Sequence, residues 1–229
     1  MLDPCGFAPA LFRFLRDLRK NNDRDWFLAH KDVYERDVKD QVVGFISAFA
    51  PWLRRISAHL VADPRPVGGS MFRIHRDVRF SDDKRPYKTQ VGIHFRHAAA
   101  EGGHALGFYL QLAPGDVFAT AGIWQPDRAV LADVRDAIAE SPAAWRRAVN
   151  AREFTSRWAL AGESLVRVPR GFDPEHPNAS DLKRKSYIAQ TGFSERDACA
   201  PGFAEQLAEA WRASAPLMRF LARALDLPW

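Results

Sequence analysis

Cations and carboxylates are concentrated in one short segment, residues 71–97. This segment carries seven Lys or Arg residues and three Asp residues, a local charge of +4, although the whole chain of 229 residues has 33 Lys and Arg, 28 Asp and Glu, and a net charge of only +5. A guanidinium can bind a phosphate or carboxylate through two hydrogen bonds, so such a cluster is typical of a site for an anionic ligand. The residues are Arg73, Arg76, Arg79, Lys84, Arg85, Lys88 and Arg96, with Asp77, Asp82 and Asp83.

Several of these side chains have a predicted role in such a site. Arg73, Arg79 and Lys88 would bind the anion directly, while a carboxylate beside them, Asp77, would orient them. Imidazole titrates near neutral pH, so a nearby histidine could transfer protons. The candidate catalytic residues are therefore Asp77, His75 and His176, and the further ligand-binding candidates are Arg76, Lys84, Lys183 and Lys185. The last two would contribute if the loop at 173–185 folds over the basic segment.

The alternation of apolar and polar residues in this segment predicts a hairpin of two antiparallel strands, near 71–80 and 87–97. If the apolar side chains share the core face, Arg79 lies opposite Lys88 on the other face. Like charges in that position are destabilising unless an anion lies between them. Arg76 falls on the apolar face, so it needs a partner: Asp77, Glu35 or a carbonyl. The predicted core pairs are Phe72 with Phe95, Ile74 with Ile93, and Phe80 with Tyr87.

Apolar spacing in the rest of the chain predicts an α+β fold. Steps of three and four residues indicate helices over 7–62, and residues 127–229 combine helices with loops. We expect a single domain, 1–229, in which an antiparallel β-meander over 70–124 packs with the N-terminal and C-terminal helices. Its strands are predicted near 71–80, 87–97, 105–113 and 116–124.

The segment from Phe72 to Thr89 closely resembles F-R-I-x-R-D-x-R-F-S-x-D-K-x-P-Y-K, the signature of a family of conserved hypothetical proteins from bacteria and some fungi, a domain of unknown function. The resemblance extends over nearly the full length. It implies a shared fold and carries no assigned activity. The looser matches are Asn21-Asn22, Trp26-Phe27, His30-Lys31, Tyr34-Glu35, Trp124-x-Pro126, Gly171-Phe172-Asp173, His176-Pro177 and Leu182-Lys183.

Composition excludes several classes of protein. With 47% hydrophobic and 27% charged residues, the chain is typical of a soluble globular protein. The longest uncharged apolar run, Gln41 to Leu53, is too short to cross a bilayer, and the first residues do not resemble an export signal, so we expect a cytoplasmic protein with no membrane partner. Neither C-x-x-C nor H-E-x-x-H occurs, so we expect no metal and no cofactor.

Two other functions fit the same residues. A pI near 9.5 and aromatic residues beside arginines are compatible with nucleic-acid binding. The predicted core position of those aromatics and the three aspartates argue against it. Alternatively, the protein is a non-catalytic interaction module, in which Asp77, Asp82 and Asp83 pair with neighbouring cations in a structural salt-bridge network. The sequence does not decide between enzyme and binding protein, nor does it give the oligomeric state.

Overall fold

The fold is described by a computed structural model over residues 6–99 and 105–229. No helix within these ranges combines the length and the apolar character needed to cross a membrane. The helices are α1 (Pro9–Lys20), α2 (Arg24–Ala29), α3 (Lys31–Tyr34), α4 (Asp40–Ile56), α5 (Arg128–Glu140), α6 (Pro142–Asn150), α7 (Arg152–Thr155), α8 (Ala179–Leu182), α9 (Glu195–Ala198), α10 (Phe203–Ala213) and α11 (Ala215–Ala224), with a π-helical turn, Glu35–Lys39, between α3 and α4. The strands are β1 (Val91–Arg96), β2 (Gly107–Ala113), β3 (Asp116–Ile123), β4 (Ala159–Ala161) and β5 (Tyr187–Phe193).

The strands form one antiparallel sheet in the order β1-β2-β3-β5-β4. The α+β fold predicted from the sequence is confirmed, and β1, β2 and β3 form the meander expected near 87–97, 105–113 and 116–124. Two strands were not predicted. β5 pairs with β3, and the three-residue β4 pairs with β5 at the far edge of the sheet.

The predicted strand at 71–80 is wrong. Only two isolated bridges join this segment to its neighbour, Met71 with Ile93 and His75 with Tyr87. Met71 and His75 are four positions apart, whereas their partners Ile93 and Tyr87 are six positions apart. Two extra residues, at the bend Thr89-Gln90, therefore interrupt the ladder. The predicted core pairs are therefore not formed: Phe72 is 39% exposed and Phe80 is 97% exposed.

Within residues 6–99 and 105–229, helices cover one face of the sheet and leave the other uncovered. Trp211 of α10 stacks on Phe108 of β2, with ring centroids 4.8 Å apart, and packs edge-on against Phe95 of β1 and Phe49 of α4. These aromatic rings are fully buried. Burial of a large apolar side chain stabilises a fold by about 1.5–3 kcal/mol, so this layer supplies much of the driving force for folding. Because strand side chains alternate, the residues between these core positions project from the opposite face.

The basic segment is attached to the N-terminal helices by Asn22, which lies between α1 and α2. The Asn22 Nδ2 group donates to the Tyr87 carbonyl at 2.9 Å, and the Tyr87 N–H donates to Asn22 Oδ1 at 3.0 Å. Phe27 of α2 stacks on the Tyr87 ring, with centroids 4.1 Å apart. This contact fixes the backbone immediately before Lys88.

Replacing Asn22 by Ala should lower the free energy of unfolding by about 1–3 kcal/mol, because it leaves two backbone groups of the partly buried Tyr87 segment without their partner. Urea denaturation measures the change. Asn21→Ala is the matched control, since the Asn21 side chain donates only to the exposed Asp17 carbonyl, and it should cost less than about 0.5 kcal/mol. Equal losses in the two variants would contradict the role assigned to Asn22.

Candidate functional site

The uncovered face of the sheet contains a cavity of about 620 Å³, which we call the sheet cavity. This volume lies within the range usual for sites that bind small molecules. Residues from β1, β2, β3 and β5 form it, and the segment Phe72 to Gln90 closes one end. Its lining comprises Phe72, Lys88, Gln90, Gly92, His94, Ala105, Gly107, Tyr109, Gln111, Phe118, Thr120, Gly122, Trp124, Ile188 and Gln190.

Two glycines form the deepest part of the sheet cavity. Gly107 of β2 and Gly122 of β3 lie directly opposite each other in the ladder. A Cβ atom at Gly107 would come within 2.5 Å of the Phe95 carbonyl oxygen, and one at Gly122 within 2.0 Å of the Tyr187 carbonyl oxygen. Gly122 also has a φ of +128°, which favours glycine. The floor of the cavity at this point is therefore backbone, with the His94 imidazole against Gly107.

Aromatic side chains rise around this floor. The Tyr109 ring lies 6.0 Å from Phe72 and 6.1 Å from Phe118, measured between centroids. Trp124 is 50% exposed at the end of β3. The next residue, Gln125, has a left-handed φ of 41°, and its N–H donates to Ser186 Oγ at 2.9 Å. Backbone strain of this kind is common at functional sites, and here it fixes the rim beside Trp124.

A chain of hydrogen bonds runs from the sheet cavity to the β2–β3 turn. The Tyr109 hydroxyl donates to Gln111 Oε1 at 3.3 Å, and Gln111 Nε2 donates to Asp116 at 2.6 Å. Burial, with a smaller contribution from Asp116, raises the pKa of Tyr109 to about 12. The phenol is therefore protonated at neutral pH, and it presents its oxygen to the cavity as a hydrogen-bond acceptor.

Lys88 lies where the sheet cavity meets a second, polar cavity of about 440 Å³. Its Nζ lies 5.5 Å from the centroid of the Phe72 ring. Burial, and then repulsion by Arg73, lower the pKa of the Lys88 ammonium. Among the residues that the structure describes, no carboxylate lies within 4 Å of Lys88 Nζ or of the Arg73 guanidinium. The polar cavity is lined by Asn22, Arg76, Asp77, Asp83, Arg85, Tyr87, Lys88, Thr89 and Gln90.

Most of the other cations of the segment bind a carboxylate. Asp83 Oδ2 lies 2.7 Å from both Arg76 Nη1 and Arg85 Nη2. Asp77 Oδ2 lies 2.6 Å from Arg79 Nη2. The hydrogen bonds from Arg85 and then Arg76 hold the pKa of Asp83 well below its usual range, and the bond from Arg79 lowers the pKa of Asp77.

Arg76 thus has a partner, as the sequence required, but the carboxylate is Asp83 and not Asp77 or Glu35. A carbonyl, that of Arg85, also accepts from Arg76 at 3.2 Å. Lys84 donates to the Val78 carbonyl at 3.2 Å. These contacts form an ion-pair network beside Lys88 that contains four cations and two carboxylates.

The remaining candidate residues lie away from the sheet cavity. The His75 ring is 5.2 Å from Tyr87, and His176 Nδ1 accepts the Asn178 N–H at 3.1 Å. Lys185 binds Glu163 at 2.8 Å, and the Lys183 carbonyl accepts the Leu165 N–H. The 173–185 loop leads into β5, about 14 Å across the sheet from β1, given the usual strand spacing. Lys88 and Asp77 therefore share the polar cavity, Arg73 is near enough to Lys88 to repel its charge, and the loop lies at the other edge.

Sequence reasoning did not identify Gly107, Tyr109, Gly122 or Trp124 as site residues. Strand alternation places the first three on one face, but this signal does not show that the face is left uncovered. Within 6–99 and 105–229, no three His, Cys, Asp or Glu side chains come together in an arrangement that could hold a metal ion.

Comparison with known proteins gives a family match. The family model described as a conserved hypothetical protein (DUF2461) matches residues 10–220, which is nearly the whole chain. Neither the curated proteins nor the solved structures include a significant match. The family resemblance predicted from the sequence is thereby confirmed, and we conclude that the chain belongs to the DUF2461 family of conserved hypothetical proteins.

Proposed function

We propose that the protein binds a small organic anion in the sheet cavity, with the anionic group held by Lys88 and Arg73. One observation carries the proposal: Lys88 is partly buried at the mouth of a cavity of ligand size, beside a second cation, with no carboxylate partner in the described part of the chain. Charged side chains of this kind, in a cleft and with a shifted pKa, are typical of functional sites.

The energetics of Lys88 support this proposal. Partial burial removes water from the ammonium, and Arg73 adds repulsion between like charges. The Phe72 ring, 5.5 Å away, offsets only part of this cost. A bound phosphate or carboxylate would offset both contributions, because it is attracted to both cations at once.

The paired arginines support two separate roles within the basic segment, a structural network and a ligand site. Arg76, Arg79 and Arg85 already have carboxylate partners, as expected of a structural network, and they leave Lys88 and Arg73 for a ligand. Asp77, His75 and His176 do not converge on one point, so the geometry supports binding better than a catalytic centre built from those three residues.

Replacing Lys88 by Gln should abolish the rise in unfolding temperature that glycerol 3-phosphate produces in the wild type. At ten times its Kd, a ligand stabilises the folded state by about 1.4 kcal/mol, a shift that thermal denaturation detects. Lys84→Gln is the matched control, because Lys84 belongs to the same segment but does not line the sheet cavity, and it should keep the full shift. Glycerol should give no shift in any variant.

Without ligand, Lys88→Gln should unfold at or above the wild-type temperature, since it removes a partly desolvated charge. A retained ligand shift in Lys88→Gln, or the same loss in Lys84→Gln, would contradict the proposal.

The affinity for glycerol 3-phosphate should fall as the pH rises from 7 to 10. Its phosphate is a dianion throughout this range, because the second pKa of a phosphate monoester is about 6. The Lys88 pKa is lowered in the folded protein, so the ammonium loses its proton at a lower pH than an ordinary lysine. The other charged groups near it, Arg73 and the paired Arg76 and Arg85, stay protonated.

Lys88→Arg should keep its affinity up to pH 10, because a guanidinium does not deprotonate there. Isothermal titration calorimetry at each pH compares the slopes of the two proteins. Parallel slopes would show that Lys88 is not the titrating group and would contradict its role in binding.

Nucleic-acid binding is the second candidate, and one observation favours it. Phe80 is 97% exposed, and the Arg79 guanidinium lies 5.8 Å from the centroid of its ring. The objection that this aromatic residue belongs to the core therefore no longer holds. A base could stack on Phe80.

This candidate predicts that a single-stranded RNA binds with a steep dependence on salt and that Phe80→Ala weakens binding roughly tenfold or more. Fluorescence anisotropy at several salt concentrations measures both quantities, and Val67→Ala, which changes another exposed apolar side chain, is the control. A flat salt dependence would remove this candidate.

A further inference from the structure

The hollow over the Gly107–Gly122 pair is bounded by side chains on all sides. Along the chain, Ala105 lies two residues before Gly107 and Tyr109 lies two residues after it. Thr120 lies two residues before Gly122 and Trp124 lies two residues after it. Ile188 of β5, opposite Gly122, bounds the hollow on one side. On the other side His94 leans inward, because its Nε2 lies 2.7 Å from where a Gly107 Cβ would be.

The lining of this hollow favours a flat group. Backbone forms the floor at both glycines and the His94 imidazole lies against Gly107, so a ring on this floor would also contact His94. Aromatic walls such as Tyr109 and Trp124 favour contact with another aromatic ring.

Polar side chains also line the sheet cavity. They include those of Gln90, Tyr109 and Gln111, and the Tyr109 hydroxyl donates to Gln111. Lys88 Nζ lies 5.5 Å from the centroid of the Phe72 ring, and that centroid lies 6.0 Å from the Tyr109 centroid, so two ring contacts separate the cation from the hollow beside Tyr109. A ligand that reaches both ends needs a linker with hydrogen-bonding groups.

We infer that the ligand is a phosphorylated compound of the nucleoside monophosphate type: a flat heteroaromatic ring on the Gly107–Gly122 floor, a hydroxyl-bearing linker beside Tyr109, and a phosphate at Lys88. This inference rests on the proposed function, because it takes the anion site at Lys88 as given. It adds the class of the ligand body and assigns Trp124 and the two glycines to its recognition.

Three probes separate the claim of an anion site at Lys88 from the claim about the class of the ligand. AMP carries both the ring and the phosphate, methyl riboside 5-phosphate lacks the ring, and adenosine lacks the phosphate. Calorimetry should give AMP an affinity about tenfold or more above that of methyl riboside 5-phosphate, since stacking of a base on aromatic groups commonly contributes that much. Adenosine should bind more weakly than AMP.

Variants assign these differences to residues. Trp124→Leu keeps an apolar side chain at a half-exposed position, so it should fold, and it should reduce the advantage of AMP severalfold without changing the affinity for methyl riboside 5-phosphate. Gly107→Ala should have the same effect, and Gly192→Ala is its control, because a Cβ there meets no atom within 4 Å. Lys88→Gln should weaken both phosphates equally.

The outcomes are distinguishable. If the two phosphates bind equally and both depend on Lys88, the ligand class is wrong and the anion site stands. If Lys88→Gln changes neither affinity, the proposed function fails and the ligand class fails with it. If Gly107→Ala does not fold, Trp124→Leu alone decides, and an unchanged preference for AMP in that variant overturns the inference.

Discussion

The structure depends on a sheet that the described helices pack on one face and leave open on the other. Strand side chains alternate, so every residue of β2 belongs either to the helix-covered core, as Phe108 does, or to the open face, as Tyr109 does. The covered face is largely apolar and supplies much of the stability. The open face is thereby free to carry glycines, amides and a lysine, which a closed core would not tolerate unpaired. Core and cavity share one backbone, so the position of each cavity residue is fixed by packing on the other side.

Charge pairing determines which cations remain for a ligand. The carboxylates Asp77 and Asp83 bind three of the arginines and hold the irregular segment that follows Ser70, where no regular ladder does so. Asn22 ties the same segment to the N-terminal helices at Tyr87. Lys88 follows directly and is fixed with its charge partly desolvated. The stability of the segment is therefore supplied by its paired cations, and the unpaired ones are left for binding.

The sequence predicts what local patterns determine. The alternation in β1, β2 and β3 is regular, so their existence and the α+β class were accessible from it. The same alternation misassigned Phe72 and Phe80, because the segment at 71–80 forms isolated bridges instead of a strand and Phe80 lies in a turn. β4 is too short to show a period, and the β5 pairing with β3 spans a long stretch of chain. Charge identified Lys88, but the aromatic and glycine lining depended on which face the helices leave open.

A crystal structure of the protein with 8-bromo-AMP tests the central claim most directly, because the anomalous signal of bromine locates the ring independently of the phosphate density. If the ligand occupies the sheet cavity, we expect a bromine peak over the Gly107–Gly122 floor and a phosphate within hydrogen-bond distance of Lys88 Nζ. A ligand bound instead at the ion-paired surface of Arg76, Arg79 and Arg85, with the sheet cavity left to water, would contradict the account.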